Sequence, residues 1–471
     1  MRGSDFREPH PEETAKRSSR RTRRLLRLLR KATRHCHSQN GERCPVTVGL
    51  PMTAASSTGA DARTEVPLKR RLKRAERARQ IRALALILPL LLFLLFTFAG
   101  PIAGMLWRSV DDREVRRVLP QTVAALANWD GKDLPDEKAY AALASDILAA
   151  RASGTIAIAA KRLNYALNGF RTILTSTARN LKAEPEPGTA REALGKINPA
   201  WRERTTWTTL KDASGPMTGF YLLSALDLTR NVDGAIVAAP SDQAIYRNVF
   251  ARTFIISLSV TALCLILGFP VAYLLATLPP GRSNLLMIFV LLPFWTSLLV
   301  RTCAWIVLLQ SKGVVNDSLL WLGIIDAPLR LIYNRFGVCV AMTHVLLPFM
   351  ILPLYSSMKA ISPAYMRAAA SLGAPPATAF LRIYLPQTLP GIGAGSLLVF
   401  ILALGYYITP ALVGGAADQM ISYFIALYTT ETANWGLASA LGAVLLLATV
   451  LLALVYGKLV QGQQVTGGMK N

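Results

Sequence analysis

The stretch Ser362-Pro-Ala-Tyr-Met-Arg-Ala-Ala-Ala-Ser-Leu-Gly-Ala-Pro-Pro-Ala-Thr-Ala-Phe-Leu-Arg-Ile-Tyr-Leu-Pro386 lies between two long apolar runs. Ser362 suits a helix N-cap, and Pro363 suits the first helical position, where its missing N–H would have found no partner anyway. The spacing predicts a helix running to about Leu372 and stopping at Gly373. Pro375 or Pro376 is placed to start a second helix, which the Leu385-Pro386 pair is expected to end. The product is a short helical hairpin whose small Ala368, Ala369 and Ala370 let another protein's surface approach closely.

Outward from the hairpin, the chain separates grease from charge. Its 471 residues are 52% hydrophobic, yet 52 Lys and Arg face 28 Asp and Glu, for a net charge of +24. Runs long enough to cross about 30 Å of hydrocarbon at 1.5 Å per residue fall near residues 83–107, 251–277, 285–309, 337–358, 389–412 and 434–460. Each contains Gly, Pro or both. Bundle neighbours satisfy the backbone groups that proline frees, so Pro89, Pro101, Pro270, Pro293, Pro348, Pro353 and Pro410 are expected to kink helices rather than to make loops. The expected fold is an all-α integral membrane bundle of six helices.

Charge sets the orientation. The first 82 residues hold 22 Lys and Arg against 8 Asp and Glu, which places a basic, disordered tail 1–82 in the cytoplasm beside the first span, 83–107. An even number of spans returns the C-terminal tail 466–471 to the same side. Arg282, Lys359, Arg367 and Arg382 then lie inside, as the rule asks, and 413–433 lies outside with Asp418, Glu431 and no basic residue. The segment 310–336 is less tidy, since Lys312, Arg330 and Arg335 would be external. Charge confined to one tail beside a span belongs to an anionic membrane surface rather than to nucleic acid.

Between the first two spans, residues 108–250 are long enough to form an extracytoplasmic domain exempt from the charge rule. Tyr140–Ala152 and Ile156–Leu181 carry apolar residues at helical spacing, Gly215–Val237 has strand character, and Glu184-Pro-Glu-Pro-Gly188 reads as a loop. An α+β or mostly helical insert is expected.

Several features point away from other chemistry. The five cysteines, 36, 44, 264, 303 and 339, include no CxxC and imply no disulfide framework. His35, Cys36, His37 and Cys44 are metal-ligand types, but no element in that Arg-rich stretch would fix a tetrahedron. The first apolar run is too long, and too far from residue 1, for a cleaved leader. Met52 is a candidate start of translation that would leave 1–51 untranslated, a choice decided by the intact mass of natively expressed protein.

The hairpin's spacing resembles the EAA loop of binding-protein-dependent ATP-binding-cassette importer permeases: Glu-Ala-Ala, three residues, Gly, nine residues, Ile, one residue, Leu-Pro. Ala368, Ala369, Gly373, Ile383, Leu385 and Pro386 match with every gap kept, and Arg367 stands where the acid is usual. Gly268-Phe-Pro-Val-Ala-Tyr-Leu-Leu-Ala276, Pro293-Phe-Trp-Thr-Ser-Leu-Leu-Val-Arg-Thr-Cys-Ala-Trp305, Leu347-Pro-Phe-Met-Ile-Leu-Pro-Leu-Tyr-Ser356 and Gly405-Tyr-Tyr-Ile-Thr-Pro-Ala-Leu-Val-Gly-Gly415 look like the spermidine/putrescine subfamily. The likeness covers the first span and about 250–465, is much weaker in the insert, and is absent before about residue 67.

The resemblance implies a six-helix importer permease core, 251–465, in a bacterial inner membrane, with both termini cytoplasmic. The loop 359–388 would couple it to cytoplasmic ATPase subunits. A second permease or a copy of this chain, an extracytoplasmic substrate-binding protein and membrane lipid complete the expected partners, with no nucleic acid. The chain lacks GxxxxGK[ST], so ATP would be used by the ATPase. No cofactor, metal or catalytic residue is expected, and the chain would not itself be an enzyme.

Within the spans, Arg301, flanked by Trp295 and Trp305, either lines a pathway or snorkels to the outer interface. Tyr406 and Tyr407 either offer aromatic faces to a cationic substrate or pack in the bundle. His344 is expected to hydrogen-bond within the bundle. No Asp or Glu falls in these spans, so acidic groups for a polyamine would have to come from the binding protein or the partner permease. A sensor would need a cytoplasmic signalling domain after the second span, where four more apolar runs stand instead. An ion-driven secondary transporter would need intramembrane carboxylates or broken helices in repeats.

Overall fold

The computed structural model describes Ile81, residues 84–231 and residues 233–467, with side chains as far as Lys458. The basic tail short of Ile81, the His35, Cys36, His37 and Cys44 group, Met52 and the last four residues lie outside the described residues.

Among the described residues, six stretches are helical, long and apolar enough to cross a membrane: Leu84–Arg108, Tyr246–Thr277, Leu298–Trp321, Arg335–Ala360, Pro376–Leu404 and Trp435–Lys458. The first of these, α1 (Leu84–Arg108), leads into an insert made of α2 (Glu114–Val118), α3 (Pro120–Leu126), α4 (Glu137–Ala152), α5 (Ile156–Ala166), α6 (Phe170–Asn180), α7 (Ala190–Ile197), α8 (Arg204–Asp212) and α9 (Phe220–Ala225). A short antiparallel hairpin, β1 (Leu228–Arg230) with β2 (Ile236–Ala238), closes it, pairing Thr229 with Val237. The apolar spacing over 156–181 becomes two helices rather than one, because Gly169 takes φ +90 and turns the chain between α5 and α6.

The insert has its own core. Trp201 and Trp207 are fully buried with Tyr140 and Phe170 around them. Their polar tips are satisfied, as burial demands: Trp201 Nε1 donates to Thr177 Oγ1 at 2.8 Å, while Trp207 Nε1 and the Tyr140 hydroxyl both donate to the Trp201 carbonyl at 2.9 Å. Asp146 on α4 caps α3 by accepting from the Thr122 amide and hydroxyl, each at 2.7 Å.

Two joints tie the insert to the bundle. Tyr221 on α9 lies against Gly436 near the start of α19 (Trp435–Gly467), so closely that a Cβ there would strike the ring. Asp227, held at φ +56, accepts from the Tyr246 and Arg247 amides at 3.0 and 2.7 Å and so caps α10 (Tyr246–Thr277).

Beyond α10 come α11 (Pro280–Leu291), α12 (Leu298–Leu309), α13 (Val314–Trp321), α14 (Arg335–Ala360), α15 (Pro363–Ser371), α16 (Pro376–Leu404), α17 (Ile408–Val413) and α18 (Ile421–Thr430) before α19. Buried Ile256, Val260 and Cys264 of α10, Met342, Met350 and Leu354 of α14, and Val399 and Ala403 of α16 form the bundle core.

Two of the sequence-based spans need correction. The run 285–309 is not one helix. Pro293 sits in a 3-10 turn, Leu292–Trp295, and Thr296 and Ser297 are extended before α12 starts. Pro293 supplies no N–H to continue the ladder, and the carbonyls left free are taken up locally. Thr296 Oγ1 donates to the Pro293 carbonyl at 3.0 Å, and Arg301 Nη2 donates to the Thr296 carbonyl at 3.2 Å. Nor does the run 389–412 form one span: its helix starts at Pro376 and ends at Leu404, and the chain breaks at Gly405, Tyr406 and Tyr407 before α17.

Candidate functional site

The hairpin α15–α16 begins as capping chemistry dictates. Ser362 accepts from the Ala364 amide at 3.3 Å, Pro363 follows at the first helical position, and Gly373 turns the chain at φ +78. A Cβ at Gly373 would meet nothing within 4 Å, so its requirement is one of backbone conformation rather than space. Gly373→Ala should therefore strain this turn by about 1–2 kcal/mol. Hydrogen exchange should read it as faster exchange of the amides of α15, and unchanged exchange would remove the glycine from the argument.

Pro386 does not end the second helix as its sequence suggests. A wide, π-helical turn over Phe380–Tyr384 comes just before it, which keeps the proline ring clear of the preceding carbonyls. The carbonyl of Ile383 accepts from Gln387 Nε2 at 2.8 Å, so the helix continues with its backbone satisfied. The hairpin thus runs without a break into α16.

The same turn grips α10. Phe380 stacks on Tyr384 with centroids 5.5 Å apart, and Tyr273 of α10 meets both edge-on at 5.7 and 5.4 Å. Phe269 adds a fourth ring, 6.2 Å from Phe380, and Lys359 Nζ reaches the Ala276 carbonyl at 3.5 Å. Phe269 and Tyr273 belong to the last turns of α10, whose first turn is capped by the insert. The 32 residues of α10 rise about 48 Å, so the hairpin and the insert stand at opposite ends of the bundle. Of the matched residues, Ala369 is buried inward, Ile383 and Leu385 are half-buried, and Arg367, Ala368, Gly373 and Pro386 are exposed.

A second group forms where the two broken helices meet. Thr302 of α12 and Thr409 of α17, both buried, have hydroxyls 3.3 Å apart. Trp305 Nε1 donates to His344 Nδ1 at 3.1 Å, with the rings edge-on at 5.6 Å. The Arg301 guanidinium lies near enough to act through its charge on both His344 and Tyr406. Its buried Nε has no hydrogen-bond partner among the described residues.

Trp305 thus meets His344, with Arg301 one turn before it on α12. Trp295 is 76% exposed on the far side of the break and joins none of these contacts, while Tyr407, 42% exposed, lies in the second break with much of its ring free. Thr302, Thr409 and the role of His344 as acceptor escape sequence reasoning, because the partners are 39 to 107 residues apart. Asp317 lies on α13, beyond a bend at Gln310, and is exposed.

No family model matches the chain. Over 212 residues it is 37% identical to the spermidine/putrescine transport system permease protein PotB of Escherichia coli (strain K12), an alignment covering 45% of this chain and 77% of that protein. It is 33% identical to the inner membrane ABC transporter permease protein YdcU of the same organism, over 42% of this chain and 67% of the relative. Among solved structures, a bacterial alginate ABC transporter in complex with an alginate pentasaccharide-bound periplasmic protein shares 21% identity at a TM-score of 0.36, over 45% of this chain and 76% of that one.

Proposed function

The chain belongs to the permeases of ATP-binding-cassette importers, on their spermidine/putrescine branch, and from that premise we propose that it passes polyamines across the bacterial inner membrane in complex with separate ATPase subunits. The observation that carries the reading is the hairpin itself. It keeps the EAA-type spacing from Ala368 to Pro386, and it is locked by the Phe380, Tyr384 and Tyr273 rings onto helices that run the length of the bundle. A push on α15 is then a push on α10 and α16 together.

In this reading, the hairpin faces the cytosol, both termini lie on that side, and the insert faces outward towards a substrate-binding protein. ATP binding closes the ATPase pair, the hairpin follows, and the bundle exchanges inward for outward access. The nucleotide chemistry belongs to the partner, and this chain holds no cofactor and performs no catalysis. A second permease, or another copy of this one, completes the pathway.

The two helix breaks also favour an ion-coupled carrier, since such proteins bind at broken helices. The deciding measurement is uptake of labelled putrescine and spermidine into vesicles holding the purified complex. ATPase blockade with the proton gradient intact should stop uptake under the importer reading, and continued uptake would overturn it. Cysteine labelling at Ser371 from each side of the membrane gives the sidedness of the hairpin.

Within the pathway, Tyr406 is packed against the core beside a fixed positive charge, which leaves Tyr407 as the aromatic face open to a cation. Tyr407→Ala should lower polyamine uptake up to about tenfold, a loss of the size of one cation–π contact, with the ATPase still bound. Wild-type uptake in this variant would take Tyr407 out of the pathway.

A further inference from the structure

We propose that the ATPase subunit receiving this hairpin carries acidic side chains opposite Arg367, so that the contact runs with inverted polarity; the inference rests on the reading of α15 as the ATPase-docking helix. Arg367 is exposed and makes no ion pair among the described residues. Among the described residues no carboxylate stands near it in sequence: no Asp or Glu occurs between Asp326 and Asp418. From residue 247 onward the acids are Asp317 on α13, and Asp326, Asp418 and Glu431 in the segments that join helices, all towards the insert end of the bundle. The hairpin end instead presents Arg282, Lys359, Arg367 and Arg382, each exposed.

Membrane orientation explains the basic residues and leaves the missing acids unexplained. Lys and Arg on short inner loops set orientation, whereas Asp and Glu there contribute little and are tolerated. A coupling surface whose described residues include no carboxylate is what an acidic partner selects, because like charges across an interface are penalised.

Geometry separates a protein partner from lipid headgroups. Met366 and Ala369 turn inward, Met366 packing on the bundle core. At 100° per residue, Arg367 and Ala368 then stand on the side of α15 turned away from the bundle. By the same spacing, exposed Tyr365 and Leu372, the latter 88% exposed, fall together on the Ala368 side. A helix with an arginine along one edge and a small and apolar strip along the other fits a cleft that offers a carboxylate to the guanidinium on one wall and an apolar rim to the leucine on the other.

The test uses the full chain co-expressed with the ATPase subunits that purify with it, comparing wild type, Arg367→Glu and Arg367→Lys at low and high salt. Arg367→Glu should retain at least about tenfold less ATPase and lose uptake in proportion. Arg367→Lys, which keeps the charge but not the fork, should lose clearly less of both than Arg367→Glu, and the wild-type contact should weaken as salt rises. Undiminished ATPase retention by Arg367→Glu would overturn the proposal, as would equal losses in the Glu and Lys variants. So would retention that tracks the anionic lipid content of reconstituted vesicles, because that places Arg367 on headgroups. If the wild type itself retains no ATPase at any salt concentration, the failure belongs to the importer reading and not to Arg367.

Discussion

Arg162→Ala should remove about 3–5 kcal/mol from the insert, the cost of leaving a buried charge without its partner. Arg162 and Asp112 are each 1% exposed. The guanidinium grips the carboxylate with two bonds, Nε to Oδ1 at 2.7 Å and Nη2 to Oδ2 at 2.5 Å. Burial on its own would push the Arg162 pKa down, and the hydrogen bonds to Asp112, together with the charges of Tyr221, Asp112 and Glu114, more than offset this, leaving it above its ordinary value. The same guanidinium lies 4.7 Å from the Phe220 ring and 5.0 Å from that of Tyr221. One side chain of α5 therefore joins the segment after α1 to α9, the helix that rests on α19. Alanine would strand Asp112 in a space too dry to solvate it and release α9 from the bundle. Pulse proteolysis of the full chain in detergent should show cleavage in the insert rising steeply, while the bundle helices stay protected. A second variant separates loss of charge pairing from loss of packing: Arg162→Met with Asp112→Leu leaves no orphaned charge and should regain much of the deficit. Wild-type resistance in Arg162→Ala would refute this account of the joint.

That joint was invisible in the sequence, for a physical reason. An arginine at helical spacing ordinarily marks a solvated face, and nothing near Arg162 announces that Asp112, fifty residues earlier, will follow it inside. The start of the hairpin was legible because its determinants are local: a serine cap, a proline after it, and a glycine at positive φ. Its continuation past Pro386 was not, since the π-helical turn and the Gln387 side chain that accommodate the proline appear only in three dimensions. The six apolar runs were legible from length alone. The breaks at Thr296–Ser297 and Gly405–Tyr407 were not, because a uniformly apolar run has no periodicity to lose. Residue type singled out Trp305, but its hydrogen bond to His344 depends on the packing of α12 against α14, which no local signal encodes.

Gly391→Leu should prevent the bundle from assembling. Residues 391 and 395 lie one helical turn apart on α16, both buried, and both meet α14 at backbone distance. A Cβ at Gly391 would stand 2.5 Å from Ser357 Cβ and 3.1 Å from the Pro353 carbonyl; at Gly395 it would stand 2.9 Å from Met350 Sδ and 3.2 Å from the Met350 carbonyl. Small residues four apart let membrane helices approach this closely, and in lipid that van der Waals contact, rather than exclusion of water, is what holds them. A leucine cannot be relieved by a rotamer change, because part of what it strikes is the backbone of α14. The cost should reach or exceed about 3 kcal/mol, the upper part of the range for overpacking, and α16 would have to lift from α14 along its length. Gly393 provides the internal control. It faces the other way, towards the hydroxyl end of Tyr456, a side chain that can swing aside. Gly393→Ala should therefore yield a monodisperse chain in size-exclusion chromatography after mild detergent extraction, whereas Gly391→Leu should aggregate or be degraded. Equal recovery of the two would mean that the α14–α16 contact is looser than these distances require, and the hairpin could not then drive α16 and α14 as one body.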